Sequence, residues 1–130
     1  GDDSPLEIFA VTVLTSWDQA TVDAHGIDKQ VLDLVLFRAE MAAKAGADGV
    51  IASAAEAKEI KARFGERLKI VTPGIRPQGV AADDQKRVIT PSDAIRAGAD
   101  RLAVGRPITK APDPAAAARN IVDEIKVASQ

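Results

Sequence analysis

The sequence has no cysteine, and this absence excludes both disulfide bonds and thiolate metal sites. A single histidine, His25, excludes a histidine-rich zinc site as well. Aromatic residues make up only 3% of the chain, so a hydrophobic core has to be built from aliphatic side chains. No apolar run approaches the roughly 18 residues that a membrane span requires. We therefore expect neither a metal site nor a membrane-inserted segment.

Neither sign of charge is in clear excess, because the chain has 17 basic and 19 acidic residues and a formal net charge of -2 at pH 7. Binding to nucleic acid or to an anionic membrane needs a clear basic excess or patch, so neither partner is expected. The first residues, GDDSPLEIF, are acidic where a signal peptide would be basic, which favours a cytoplasmic protein. With 46% hydrophobic and 28% charged residues, the composition is that of one globular domain over residues 1–130.

Short aliphatic segments alternate with helical patterns along the chain. The predicted strands are rich in Val and Ile and lie at Leu6–Leu14, Gly49–Ser53, Leu68–Thr72 and Arg101–Val104. The predicted helices follow them at Asp28–Ala45, Ala54–Phe64, Ser92–Ala97 and Asp113–Ala128. Asp113 is placed to cap the last helix, and Ser53 with Glu56 has the spacing of a capping box.

This alternation of strands and helices is typical of right-handed βαβ units in a parallel α/β sheet. An open sheet of this size leaves two edges to be covered. A closed (β/α)₈ barrel needs eight units and typically about 250 residues, roughly twice the length of this chain.

Ligands of parallel α/β folds bind in the loops after the carboxyl ends of the strands. Thr15 and Ser16 follow the first predicted strand, and their hydroxyl groups suit either a polar ligand edge or a helix cap; spacing alone favours the cap. The third strand is followed by the long loop PGIRPQGVAADDQKRVIT, residues 73–90, which exceeds the usual length of such connections. Its hydrogen-bond donors are Arg76, Gln78, Gln85, Lys86 and Arg87. Its composition is equally compatible with a binding loop and with a solvated surface loop.

The fourth predicted strand is followed by Gly105 and Arg106. A glycine lets the backbone approach a ligand closely, and the planar arginine side chain binds phosphate through two hydrogen bonds. The loops after the seventh and eighth strands of a (β/α)₈ barrel frequently form a phosphate site. If the chain supplies the last four strands of such a barrel, its third and fourth loops are those two.

Five segments, in order and over essentially the whole chain, resemble orotidine 5'-monophosphate decarboxylase. They are TVLTS (12–16), AGADGVIAS (45–53), VTPGIRPQG with DDQKR (71–87), ITPSDAIRAGAD (89–100) and VGRPIT (104–109). The resemblance implies an α/β fold, namely the parallel (βα)4 half of a TIM-type (β/α)8 barrel, strands five to eight of the parent enzyme. It also implies a homodimer that converts orotidine monophosphate to uridine monophosphate and CO2 in pyrimidine biosynthesis, with no cofactor and no metal. A related phosphate-sugar decarboxylase is an alternative, but TPGIRP followed by DDQKR favours the orotidine enzyme.

The resemblance also implies roles for individual residues. Arg106, with the backbone of Gly105, would bind the substrate phosphate, and Gln85 would close over that phosphate with a mobile loop. Arg76 would be a further ligand-binding position, and Thr15 and Ser16 would lie near the pyrimidine edge. The expected ligand is a nucleotide monophosphate, or phosphate or sulfate in its place.

One part of the family pattern is missing from this sequence. The catalytic group of the family is an Asp/Lys array around a DxKxxD motif on the third strand of the full barrel, where a lysine protonates the carbon that loses carboxylate. No DxKxxD occurs here, so no residue is assigned a catalytic role and the chain is expected to be inactive alone. It resembles the C-terminal half of the enzyme, with Gly1 and Asp2 just before strand five.

An open half barrel predicts association, because it exposes strand edges and the barrel's apolar interior. The residues expected to line that interior are Ile8, Ala10, Val50, Ile70, Val71 and Ala103. The expected partner is a second copy of the chain in a homo-oligomer, or the missing N-terminal half. The alternative function is accordingly a self-associating half-barrel module, or a folding unit, with no activity of its own.

Overall fold

The computed structural model describes residues 6–130, so the predicted position of Gly1 and Asp2 lies outside the described residues. The chain forms one sheet of four parallel strands in the order β1-β2-β3-β4. The strands are β1 (Phe9–Val11), β2 (Gly49–Ile51), β3 (Lys69–Thr72) and β4 (Arg101–Leu102). The predicted parallel α/β architecture is confirmed, although each strand is shorter than the apolar segment that predicted it.

Six α-helices accompany the sheet within the described residues. They are α1 (Gln19–Ala24), α2 (Val31–Lys44), α3 (Ala54–Phe64), α4 (Pro91–Arg96), α5 (Arg106–Thr109) and α6 (Pro114–Ala128), and a 3₁₀ turn (Gly65–Arg67) follows α3. The four predicted helices correspond to α2, α3, α4 and α6. Helices α1 and α5 were not predicted, because they are too short to show a helical period. The predicted cap of α6 is confirmed, because the Asp113 carboxylate accepts a hydrogen bond from the Ala116 amide at 2.9 Å.

The main core lies between the sheet and helices α2 and α3. Val50 of β2 and Ile70 of β3 are fully buried there against Val35 and Ile60. The prediction that Val50 and Ile70 line an exposed barrel interior is therefore wrong. Ala10 is paired with Val50 in the sheet register and also packs against this core.

The opposite side of the sheet is open to solvent. Side chains alternate between the two faces of a strand, so the residues next to the buried ones point away from the helices. We call this side the exposed sheet face, and its apolar members are Phe9, Val11, Ile51, Val71 and Ala103. Val11 on the edge strand is 53% exposed.

The exposed sheet face carries a charged cluster at its amino-terminal end. Arg101 Nη1 lies 2.6 Å from the Glu7 carboxylate, and Lys69 also pairs with Glu7. The hydrogen bonds from Lys69 and then Arg101 hold the pKa of Glu7 below its usual value. The Arg101 guanidinium also lies 5.5 Å from the centre of the Phe9 ring. The face is thus charged at one end and apolar along the rest. Across residues 6–130, the helices lack the length and apolarity needed to cross a membrane.

Candidate functional site

A cavity of about 380 Å³ opens at the carboxyl ends of β3 and β4. Its lining brings together the predicted ligand-binding residues Arg76, Gln85, Gly105 and Arg106. They meet because the carboxyl ends of neighbouring parallel strands share one edge of the sheet. The loop after β3 supplies Arg76 and Gln85, and the turn into α5 supplies Gly105 and Arg106.

The loop of residues 73–90 leaves β3 and returns beside its own starting point. Ile75 forms a parallel β-bridge with Ile89, and the Arg76 amide donates to the Ile89 carbonyl at 2.9 Å. Gly74 makes this return possible, because its φ is 71° and a Cβ there would lie 2.8 Å from the Arg87 carbonyl oxygen. A side chain at position 74 would thus collide with the returning end of the loop.

Thr15 contacts the loop directly. Its hydroxyl donates to the side-chain oxygen of Gln85, and its carbonyl accepts from the amides of Lys86 at 3.3 Å and Arg87 at 3.2 Å. Thr15 is buried. Ser16 is half-buried and is not among the described residues that line the cavity. Thr15 therefore contacts a residue that lines the cavity, Gln85, whereas Ser16 does not line the cavity within the described part of the chain.

Arg76 lines the cavity but donates its hydrogen bonds to the loop. It is only 8% exposed, and its Nε donates to the Ala81 carbonyl at 2.8 Å. Its Nη1 donates to the Ile75 carbonyl at 2.8 Å, and its Nη2 lies 4.0 Å from the Asp83 carboxylate. The arginine thus braces the curve of the loop while presenting positive charge at the cavity.

Arg106 is more accessible than Arg76, and its partners are acidic residues of the 73–90 loop. Its side chain is 35% exposed, Nη2 donates to the Asp84 carboxylate and Nη1 lies 3.5 Å from that of Asp83. The hydrogen bond from Arg106 lowers the pKa of Asp84, and the same contact raises the pKa of Arg106. The predicted phosphate-binding cation is thus paired with two carboxylates in this structure.

A buried ion pair beside the cavity was missed by the sequence analysis. Arg87 Nη1 donates to the carboxylate of Glu56, which is 4% exposed, and Arg87 Nη2 donates to the Leu14 carbonyl at 3.1 Å. Ser53 takes the N-cap position of α3 as predicted, but its hydroxyl donates to the Glu56 carboxylate. The predicted capping box is therefore wrong, since Glu56 binds the loop and the Ser53 hydroxyl. The S-x-x-E pattern is a local signal and predicted a contact within the helix start. Arg87, the partner of Glu56, is 31 residues away in the sequence, so no local pattern indicates the pair.

A second contact ties the loop to α1. Lys86 Nζ lies 3.0 Å from the Asp18 carboxylate and 3.2 Å from the Thr21 hydroxyl. Asp18 is also the N-cap of α1, where it accepts from the Thr21 amide at 3.0 Å. The hydrogen bonds from Thr21 and then Lys86 hold the pKa of Asp18 well below its usual range. The consecutive residues Gln85, Lys86 and Arg87 thus fix the end of the loop to the turn after β1, to the start of α1 and to α3.

Comparisons with known proteins match the chain to a known family along most of its length. The family model described as Orotidine 5'-phosphate decarboxylase / HUMPS family matches residues 2–121. The curated orotidine 5'-phosphate decarboxylase of Methylobacterium sp. (strain 4-46) is 57% identical over 122 residues, which are 94% of this chain and 52% of that protein. The one from Rhodopseudomonas palustris (strain BisA53) is 54% identical over 122 residues, again 94% of this chain and 52% of the relative.

A solved structure shows the same relationship. The crystal structure of orotidine 5'-phosphate decarboxylase from Lactobacillus acidophilus matches with a TM-score of 0.75 at 38% identity, covering 94% of this chain and 50% of that one. The chain therefore spans about half the length of the curated relatives it matches. The resemblance predicted from the sequence is confirmed, and the four parallel βα units are those of a half barrel.

Proposed function

The chain belongs to the orotidine 5'-phosphate decarboxylase / HUMPS family, and on this premise we propose that it is the C-terminal half of an orotidine 5'-monophosphate decarboxylase barrel, strands five to eight. In this proposal it supplies the phosphate-binding half of a site that converts orotidine monophosphate to uridine monophosphate and CO2. The observation that carries the proposal is the cavity between the 73–90 loop and α5, where Arg106, Arg76 and Gln85 converge. A cytoplasmic location stays a prediction.

The chemistry of the lining supports a phosphate monoester as the ligand. Arg106 offers a partly exposed guanidinium group, which suits bidentate binding of phosphate oxygens. Arg76 adds a second positive charge, and Gln85 of the 73–90 loop adds a side-chain amide to the lining. Gly105 borders the cavity with backbone only, so a ligand can approach the chain closely there. We propose a nucleotide monophosphate as the natural ligand and inorganic phosphate or sulfate as simpler substitutes.

We place the pyrimidine edge of the nucleotide toward Thr15 and Ser16. These residues follow β1 at the same edge of the sheet as the cavity, and the Thr15 hydroxyl already contacts Gln85. If a nucleotide takes the place of their mutual hydrogen bond, the Thr15 hydroxyl and the Gln85 amide can each bind the heterocycle instead.

We assign no catalytic residue to this chain and propose that it does not decarboxylate orotidine monophosphate by itself. The proposal gives no role to a cofactor or a metal. The DxKxxD motif that the resemblance leads us to expect is not in the sequence. The lysine of the loop, Lys86, is paired with Asp18 away from the lining of the cavity. A missing N-terminal half would have to supply the proton donor.

Measurements of binding and of turnover test the proposed phosphate-binding role and the proposed inactivity of the chain. The purified chain should bind uridine monophosphate in calorimetry and show no turnover of orotidine monophosphate. Turnover above background would contradict the inactivity, and failure to bind any phosphate ligand would contradict the binding role. Recovery of turnover on adding the N-terminal half of a relative would support the division of the site.

A second candidate function is self-association, and the exposed sheet face favours it. In the sheet, β1 and β4 are the two edges and all strands are parallel. Under a two-fold axis, β1 of each copy can pair with β4 of the other, which closes eight parallel strands and covers Val11, Ile51 and Val71. We propose that a second copy of this chain is the partner. The mass in solution tests this: a stable monomer would contradict it, and association only with an added N-terminal half would identify that half as the partner.

A further inference from the structure

The guanidinium group of Arg106 is engaged by an anion that the chain itself provides. Asp84 pairs with Nη2, and Asp83 lies 3.5 Å from Nη1. Asp83 also lies 4.0 Å from Nη2 of Arg76, the other cation of the cavity. Two carboxylates thus stand where two arginines would meet the oxygens of a bound phosphate.

The backbone of the loop adopts an unusual conformation at the point where the carboxylates are presented. Asp83 has a φ of 54°, in the left-handed region that residues with a Cβ rarely occupy. The preceding turn is held by Arg76, which donates to the carbonyls of Ala81 and Ala82. Asp84 then reaches Arg106 with a side chain that remains 64% exposed to water. The contact is therefore formed in a defined geometry, yet an incoming anion can reach and replace it.

We propose that Asp84, supported by Asp83, acts as an internal competitor at this site, because its carboxylate occupies Arg106 until a phosphate dianion replaces it. This inference rests on the proposed role of Arg106 in phosphate binding. Asp84 carries one negative charge, whereas a phosphate monoester carries about -1.5 to -2 at pH 7 and offers three acceptor oxygens. A dianion therefore gains attraction to Arg106 and Arg76 when it takes the place of a carboxylate, since the Coulomb energy scales with the charge.

A monoanion gains no such advantage. It exchanges one unit charge for another, and it competes with a carboxylate tethered nearby, whose effective concentration is on the order of millimolar for a short flexible link. Weak monoanionic ligands at lower concentrations are therefore excluded from Arg106. Asp84 thus weakens the binding of every anion to Arg106, and only a ligand with a higher intrinsic affinity, such as a phosphate monoester, still binds at low concentration.

Displacement of Asp84 also has a consequence for its neighbour in the chain. Gln85 follows directly and is held by the Thr15 hydroxyl. The released carboxylate and the bound dianion repel each other, so the segment carrying Asp84 has to move away from Arg106. That movement shifts Gln85 relative to Thr15 and couples phosphate binding to the rearrangement of the loop.

The test compares inorganic phosphate with nitrate at pH 8, where phosphate is a dianion, by calorimetric titration of the full chain. In Asp84→Asn, we expect both phosphate and nitrate to bind more tightly, phosphate by about 2- to 5-fold and nitrate by no more than that, because the competitor and its repulsion of a bound dianion are both removed. Asp123→Asn is the matched control, because it removes the same charge from an exposed residue of α6 and should leave both affinities unchanged. Thermal unfolding of each variant verifies that it is folded.

Arg106→Ala separates this inference from the function on which it rests. We expect it to weaken phosphate binding by roughly 10- to 150-fold, and Asp84→Asn added to it should restore none of that loss. If Arg106→Ala weakens binding but Asp84→Asn leaves both affinities unchanged, the competitor role of Asp84 is overturned and the phosphate site is retained. If Arg106→Ala binds phosphate like the unaltered chain, or if no variant binds it, the phosphate site itself is overturned. Binding that is detected only in Asp84→Asn would be the extreme form of the expected result.

Discussion

Glu56 and Arg87, which are 31 residues apart in the sequence, form a buried ion pair that joins the first turn of α3 to the end of the 73–90 loop. The Glu56 side chain is 5% exposed and that of Arg87 15%. Arg87 also donates to the Leu14 carbonyl after β1. The pair thus connects the segments that follow three strands, and it holds the loop at the residue that lies two positions after Gln85.

Replacing Glu56 by glutamine should destabilise the chain by about 2–4 kcal/mol, since it leaves the Arg87 charge buried without its counter-charge. The free energy of unfolding, measured by urea titration, provides the test. Glu59→Gln is the matched control on the same helix, because Glu59 is exposed and its replacement should have little effect. Equal losses in the two variants would show that the buried pair has no special importance for stability.

Replacing Arg106 by alanine should weaken binding of uridine monophosphate or phosphate by about 1.5–3 kcal/mol, the range for a hydrogen bond to a charged group. Calorimetric titration measures the change. Arg119→Ala provides the control, because it removes the same charge from an exposed position of α6. An affinity that is unchanged in Arg106→Ala would refute the assigned role, and an equal loss in both variants would point to net charge as the cause.

The order of elements and the meeting place of the two loops were predictable, but the finer contacts were not. The segment Gly49–Ser53 is apolar up to Ala52, so its pattern could not show that Val50 faces the helices. The meeting of Arg76 with Arg106 follows from the geometry of parallel strands, which is independent of side-chain detail. The pairing of Asp84 with Arg106 depends on the conformation of a long loop, and no local pattern encodes that conformation.

Gly74→Ala should destabilise the chain more than Gly79→Ala does. Both glycines have positive φ, 71° and 83°, so both substitutions introduce backbone strain. A Cβ at position 74 would lie 2.8 Å from the Arg87 carbonyl oxygen, whereas among residues 6–130 nothing lies within 4 Å of a Cβ at position 79. We expect an extra loss of roughly 1–3 kcal/mol for Gly74→Ala, the range for a substitution that forces a packed neighbour to shift. Urea unfolding of both variants measures it, and identical losses would show that the contact with Arg87 does not matter.

The pairing of Glu7 with Lys69 and Arg101 predicts a dependence of stability on pH. These contacts lower the pKa of Glu7 in the folded chain, so its contribution to stability is present above the unfolded pKa of about 4.3 and is lost as the pH falls through the folded pKa. The difference in unfolding free energy between the unaltered chain and Glu7→Gln should therefore be constant from pH 7 to pH 5 and shrink below about pH 4. A difference that stays constant down to pH 3 would contradict the prediction, and high salt should reduce it at neutral pH.

Val11→Lys should weaken self-association, because Val11 lies on the edge strand β1 within the exposed sheet face. In the proposed two-fold assembly, β1 pairs with β4 of a second copy, and a lysine at this position would place a charge inside the closed sheet. Charged side chains on edge strands also oppose strand pairing between chains. Sedimentation or light scattering measures the expected shift toward the monomer. Val122→Lys is the control, since Val122 is an exposed valine of α6, 47% exposed against 53% for Val11. If Val122→Lys disrupts the assembly and Val11→Lys does not, the surface of α6 forms the interface and the exposed sheet face does not.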